Sequence, residues 1–314
     1  MPTQRLIDLV PAELRALVRA DVPLCELTTL RVGGPAALLC PVRNADDARR
    51  FQELAHHHGL DHTVLGGGSN ILAADAGYGG LILRVATTDF RVAGDRVTAG
   101  CGLDFDDLIT RTLAAGLTGL EFASGIPGSL GGALVGNAGC YGHEIGELLE
   151  EALVLTPAGN LERLGPEAFG FRYRGTDLRA TGHLVLEARL RLGRSDLHAA
   201  GKMRDLHLAD RLAKHPVDQP SAGSWFRNLP PPAPGERRRA AGALLEQVGA
   251  KEMREGGAAV FPGHANIIVN TGGATAVQIT RLARRMQEAV RTRFAVELVE
   301  EVRRLGDDPP GDPT

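Results

Sequence analysis

The chain has 314 residues, 43% of them hydrophobic and 23% charged, with a formal net charge of −3. That length is enough for two or three ordinary cores, and the slight excess of acid exerts no pull toward nucleic acid or an anionic membrane. No apolar run nears the roughly 18–20 residues that span a bilayer, and the opening MPTQRLIDLVPAEL has no signal-peptide core, so a cytoplasmic address without membrane insertion is expected.

In chain order, Asn44 to Gly59 reads as a helix, with Asn44 as N-cap, Asp46 and Asp47 at its positive end and Gly59 as its stop. The strand HTVL (62–65) follows and ends at Gly66, and LILRV (81–85) forms another. Asp104 to Gly116 is a second helix, with Phe105, Leu108, Ile109 and Leu113 inward. Leu117 to Gly146 is too rich in glycine for a regular element, and alternating strands fall near 150–193. Ser195 to His215 reads as helical and leads into a second composition zone. There the Pro-rich Leu229–Arg239 loop precedes a helix at Ala240–Gly249. Strand ANIIVN, helix Thr275–Phe294 and strand AVELV read as a further β-α-β unit, and the tail 307–314 reads as disordered. The fold class is α+β.

Cys25, Cys40, Cys101 and Cys140 form no C-x-x-C pair and read as apolar thiols in a reducing compartment. His56, His57 and His58 suit the negative end of a helix better than a metal, since adjacent side chains diverge and no carboxylate or cysteine stands at ligand spacing. Arg237, Arg238 and Arg239 read as a solvated helix start, not a nucleic-acid patch.

The glycines carry the functional signal. Gly66-Gly67-Gly68-Ser69-Asn70-Ile71 breaks the G-x-G-x-x-G spacing of a dinucleotide fold and leads into strand, not helix; no phosphate-loop signature G-x-x-x-x-G-K-[ST] exists either. Consecutive glycines still present successive N–H groups to an anion, and Ser69 and Asn70 add side-chain donors. A second run, Gly125 to Gly139, has Pro127 pinning its turn, bare backbone at Gly128, Gly131 and Gly132, and an amide at Asn137. Two such loops suit a long ligand bearing a pyrophosphate; taken singly, each is equally a tight turn.

TTLRVGGPA (28–36), LGGGSNIL (65–72), GIPGSLGGALVGNAGCYGHEI (125–145), YRGT (173–176), PSAGSWFRN (220–228), GHANIIVN (263–270) and EEVRRLG (300–306) occur in this order. Together they resemble the UDP-N-acetylenolpyruvoylglucosamine reductase family, the UDP-N-acetylmuramate dehydrogenases of bacterial peptidoglycan synthesis. The resemblance implies a two-subdomain FAD-binding unit of vanillyl-alcohol-oxidase type, at 1–85 and 86–205 with 296–306 joining the second, and a UDP-sugar substrate lobe at 206–295. It implies noncovalent FAD held by Gly66, Gly67, Gly68, Ser69, Asn70 and Ile71 and by Gly125, Ile126, Pro127, Gly128, Ser129, Gly132, Ala133, Asn137 and Gly139. NADPH would be the reductant, and UDP-N-acetyl-3-O-(1-carboxyvinyl)-glucosamine the substrate. Arg174, Ser224 and Glu301 match the family's catalytic arginine, proton donor and terminal acid; Tyr173, Arg227, Asn228 and His264 would bind substrate. Four positions depart from the family pattern: Thr28-Thr29 for Asn-Thr, Arg227 for Lys, Leu229 for Pro, and Glu300 where a Pro often precedes the final acid. Arginine keeps the charge of lysine but not its geometry.

Apart from the resemblance, Arg174 reads as a surface ion-pair residue, Ser224 as a turn residue beside Gly223 and Glu301 as part of a solvated edge, while His264 reads equally as a core histidine or as one reaching the sugar lobe. Two rival functions stay open at this point. A sugar-lactone or alditol oxidase on the same scaffold would often tether FAD through a histidine in the first glycine loop, which holds none here. A binding protein without turnover would have no need of the Arg174, Ser224 and Glu301 set.

Overall fold

Asn44 starts the first long helix by accepting from the Asp47 N–H at 2.8 Å, and Ala45–His57 buries Ala48, Phe51 and Leu54 along one face. The computed structural model describes residues 3–233, 235–236 and 238–307. The chain divides into two units: one holds the residues up to Asp21 with Ala37–Gly67 and Gly79–Arg211, the other Val22–Ala36, Gly68–Tyr78 and the chain from Leu212 onward.

The first unit contains two sheets. In one, the order is Arg19–Pro23, Pro35–Val42, Tyr78–Val85, His62–Leu65, the last two strands being parallel. In the other, Leu161–Leu164, Leu149–Leu155, Leu184–Arg191, Arg96–Gly100 and Phe90–Ala93 form an antiparallel sheet. One apolar core runs through both, with Phe51, Leu81, Leu83, Phe105, Leu108, Leu130, Leu134, Val154 and Leu186 buried in it. Helix Phe105–Ala114 begins at Asp104, whose carboxylate accepts from the N–H groups of Asp106 and Asp107.

The glycine-rich stretch after Leu117 is more ordered than its composition implies. Leu130–Gly136 is a helix: Ser129 Oγ accepts from Gly132 N–H, Leu130 and Leu134 are fully buried, and Asn137 ends it in the left-handed region at φ 46°. Three glycines cost such a helix roughly 1 kcal/mol each relative to alanine. Burying two leucines at roughly 1.5–3 kcal/mol each offsets that cost.

The second unit is built on an antiparallel sheet ordered Ser221–Ser224, Ile267–Asn270, Ala258–Val260, Arg254–Glu255. Its core gathers Trp225, Phe226, Leu244, Leu245 and Ile268 with Ile279, Leu282 and Met286 from helix Ala276–Phe294. That helix starts in a capping box of Thr275 and Gln278, and Asp75 accepts from the N–H groups of Ala276 and Val277. It ends at Ala295 with φ 54°.

Residues after this helix differ from the expected β-α-β unit. AVELV forms no strand; Val299 and Glu300 run beside Phe226, joined by the Phe226–Glu300 bridge and the bond from Arg227 N–H to Val299 O. The strand comes later, at Arg303–Leu305, and pairs parallel with Ile71–Ala73 in a separate two-stranded sheet. The 296–306 segment lies in the second unit. Its partners are Asn70 to Ala73, whose ladder groups it satisfies. Of the tail expected to be disordered, 308–314 lies outside the described residues, as does Arg237 in the arginine triplet.

Candidate active site

In the first unit the two glycine turns touch. A Cβ on Gly67 would stand 2.6 Å from Gly128 Cα, and one on Gly66 would stand 2.5 Å from Ser129 Oγ. Any side chain at Gly67 would push main chain against main chain, so both positions need glycine for close approach. Ile126 N–H closes the turn onto Ala123 O, Pro127 is exposed at its tip, and Ala133 is buried in the helix that follows. Bare backbone from two turns, brought into contact, is the surface a pyrophosphate-bearing cofactor uses, and the residues present fit one.

The Asn137 amide is bonded on both sides within the first unit. Its Nδ2 donates to Glu144 Oε2 and to Arg172 O, and its Oδ1 accepts from Gly146 N–H at 3.1 Å. The amide is buried and braces the loop carrying Arg174.

Arg174 sits at the tip of a tight turn closed by paired bonds between Arg172 and Gly175, each 3.0 Å. Its φ is 57°, a left-handed conformation that costs a non-glycine residue roughly 1–3 kcal/mol and persists only where the surroundings impose it. Thr176, fully buried, donates from Oγ1 to Val135 O and anchors the turn. The guanidinium donates from Nη1 to Gly139 O at 3.0 Å and lies 5.6 Å from the Tyr173 ring centroid.

The second unit holds Gly68, Ser69, Asn70 and Ile71 together with Ser224, Arg227, Asn228, His264 and Glu301. Gly68 has φ 67°, and a Cβ there would overlap Leu27 O at 2.0 Å. Ser224 closes its strand after a bulge: Ser221 pairs with Val269 and Ser224 with Ile267, leaving an extra residue on the Ser224 side at Gly223, φ 72°. Asn266 fixes the next two residues: its Oδ1 accepts from Phe226 N–H, its Nδ2 donates to Phe226 O, and its own carbonyl accepts from Trp225 N–H.

Glu301 N–H donates to Trp225 O at 2.8 Å, so the acid is pinned beside the residue that comes after Ser224. Asn70 Nδ2 donates to Glu301 O, and Arg303 N–H donates to Asn70 O. The Asn70 side chain, expected to contact cofactor, holds the Glu301 backbone. Ile71 opens the strand paired with Arg303.

Of the expected substrate ligands here, Arg227 has a buried Nε without a hydrogen-bond partner among the described residues, as an arginine set to receive an anion would. Asn228 Oδ1 accepts from Ala241 N–H at the start of helix Ala241–Gln247, a structural role. Burial pushes the His264 imidazole below its usual range; Nδ1 accepts from Asn266 N–H, which leaves Nε2 to carry the proton of the neutral ring. Among the described residues no group of three His, Cys, Asp or Glu side chains could hold a metal.

Sequence reasoning passed over Asn266, although GHANIIVN contains it; nothing in a sequence says that its amide pairs with a backbone 40 residues away.

Residues 35–165 match the model of an FAD binding domain, and residues 215–305 match that of the UDP-N-acetylenolpyruvoylglucosamine reductase C-terminal domain. The chain is 40% identical to UDP-N-acetylenolpyruvoylglucosamine reductase 2 of Symbiobacterium thermophilum over 93% of each chain. It is 37% identical to the reductase of Shouchella clausii over 93% of this chain and 92% of the other. The solved structure of the Thermus caldophilus reductase superposes with a TM-score of 0.79 at 32% identity, covering 92% of this chain and all of that one.

Proposed function

Since the chain belongs to the UDP-N-acetylenolpyruvoylglucosamine reductase family of FAD-dependent oxidoreductases, we propose that it reduces UDP-N-acetyl-3-O-(1-carboxyvinyl)-glucosamine to UDP-N-acetylmuramate with NADPH as reductant. The observation that carries this reading is the Ser224–Glu301 arrangement: two chain segments 75 residues apart in sequence are laced together by Glu301 N–H on Trp225 O and by the Phe226–Glu300 bridge. FAD held by the Gly66–Gly68 and Gly125–Gly128 turns would supply the hydride that adds to the terminal carbon of the enol ether.

That addition leaves negative charge on the neighbouring carbon, delocalised into the carboxylate. Arg174 meets it: a planar guanidinium matches a carboxylate that becomes more basic as the charge develops. The Ser224 hydroxyl donates a proton to the same carbon, so one hydride and one proton complete a two-electron reduction. A serine is a weak acid, yet the carbanion is a far stronger base, so transfer runs downhill once the geometry is set. Glu301 orients the substrate carboxylate. Tyr173, Arg227 and His264 bind substrate, and Asn228 supports them through the helix it caps.

The deciding experiment mixes anaerobically reduced protein with the enolpyruvyl substrate in a stopped-flow instrument. Rapid return of the oxidised flavin spectrum is expected, with UDP-N-acetylmuramate as product. A flavin that stays reduced under substrate but reoxidises under oxygen would indicate an oxidase instead.

The glycine contact gives a second test. Gly67→Ala drives a methyl group into Gly128 Cα and is expected to weaken FAD binding to the apoprotein at least about tenfold, ~1.4 kcal/mol. Gly79→Ala, in open space, should change nothing. Fluorescence titration with FAD compares the two.

A further inference from the structure

Asp106 stands in the first turn of helix Phe105–Ala114, and its carboxylate faces the segment that enters the second glycine turn. Asp106 Oδ1 accepts from Gly125 N–H at 2.7 Å and from Arg204 Nη1 at 2.9 Å; Oδ2 accepts from Arg204 Nη2 at 2.7 Å. Arg204 also donates to Ser124 Oγ and to Thr110 Oγ1. Its side chain is only 15% exposed.

The same face of helix Leu197–Lys214 reaches the turn at three more points. His207 Nδ1 lies 2.8 Å from Glu121 O, and a Cβ built on Gly125 would meet Leu208 Cδ2 at 3.1 Å and Arg211 Cδ at 2.8 Å. Positions 204, 207, 208 and 211 follow helical spacing, so one face of the helix rests on Glu121 to Gly125. Gly125 itself has φ 72°, one of several conformations a glycine adopts freely, so its contacts select this one. A bidentate arginine–carboxylate pair, sharing its acceptor with the glycine N–H, is a directional clamp on that conformation.

We propose that Asp106 and Arg204 form a latch that fixes the Gly125–Gly128 turn in the shape that retains FAD. Both are positioning residues; neither is assigned contact with substrate or with the reacting atoms. The inference rests on the reading that this turn holds the cofactor.

The test measures the rate at which holoprotein releases FAD after dilution, followed by the fluorescence of the freed flavin, for Asp106→Asn, Arg204→Met and Arg204→Lys. Asp47→Asn, which breaks a different ion pair of the same unit with Arg43, controls for general loosening, with thermal midpoints recorded for every apoprotein. Release at least about tenfold faster is expected for Asp106→Asn and Arg204→Met, with partial recovery in Arg204→Lys and no change in Asp47→Asn. If these two variants keep FAD at the wild-type rate while Gly67→Ala releases it, the latch is overturned and the cofactor role of the turns survives. Should Gly67→Ala retain FAD as well, that role falls together with the latch. Equal acceleration in Asp47→Asn would reduce the pair to ordinary structural support.

Discussion

Ser224→Ala is expected to slow reoxidation of the reduced protein by the enolpyruvyl substrate by about 10²–10⁴-fold, the usual contribution of a positioned general acid, while NADPH bleaches the flavin at an unchanged rate. The structure makes this a clean substitution. Ser224 is partly exposed at the end of its strand, its backbone pairs with Ile267, and among the described residues its hydroxyl makes no hydrogen bond. Removing one oxygen therefore breaks no internal contact, and the thermal midpoint should stay within the scatter of surface changes, about 0.5 kcal/mol. The bulge at Gly223 and the Asn266 clamp on Phe226 remain to hold residue 224 where it is. If both half-reactions slow in parallel, Ser224 acts on structure and the proton comes from elsewhere. Glu301→Gln offers an internal comparison: it keeps the backbone bonds to Trp225 and Asn70 and removes only the acid.

The long helices were legible because caps and periodicity are local: Asn44, Asp104 and Thr275 each accept the N–H bonds that start a helix. Leu130–Gly136 was not, because glycine content argues against a helix and only tertiary burial of Leu130 and Leu134 overrides it. AVELV misled through its alternation. Val296 and Leu298 pack against the second core as strand residues would, yet among the described residues no neighbour extends the ladder beyond one bridge. In the site, residue types and order singled out candidate side chains but not what their atoms touch. Asn137 and Asn70 both looked like donors for a cofactor. The fold turns one amide onto Arg172 and Gly146 and the other onto Glu301, so each serves a residue identified from its motif. The Gly67–Gly128 contact and the Asp106–Arg204 pair join segments far apart in sequence, and composition holds no trace of such pairings.

Arg174 gives the other large effect. Arg174→Lys keeps a positive charge but loses the planar fork, and Arg174→Gly loses both. Substrate reduction is expected to fall by roughly 10²-fold or more in the first and at least as much in the second, the scale of losing one preorganised donor. Stability should move differently. Glycine adopts φ 57° without the penalty that arginine bears there, a gain of roughly 1–3 kcal/mol. Against it stand the lost bond to Gly139 O, roughly 1 kcal/mol, and the extra freedom glycine brings to the unfolded chain, roughly 0.5–1 kcal/mol. These nearly cancel, so Arg174→Gly should fold with a urea midpoint close to wild type and retain FAD while losing substrate reduction. A protein that unfolds readily, or that loses flavin and both half-reactions together, would make Arg174 a prop for the Gly139 loop. Asn137→Ala separates these cases further: it keeps the guanidinium but frees the Arg172 carbonyl and Gly146 N–H that set the turn. Its activity should fall between that of the wild type and Arg174→Gly, because a misaimed charge still lies near the developing carboxylate but no longer matches its plane.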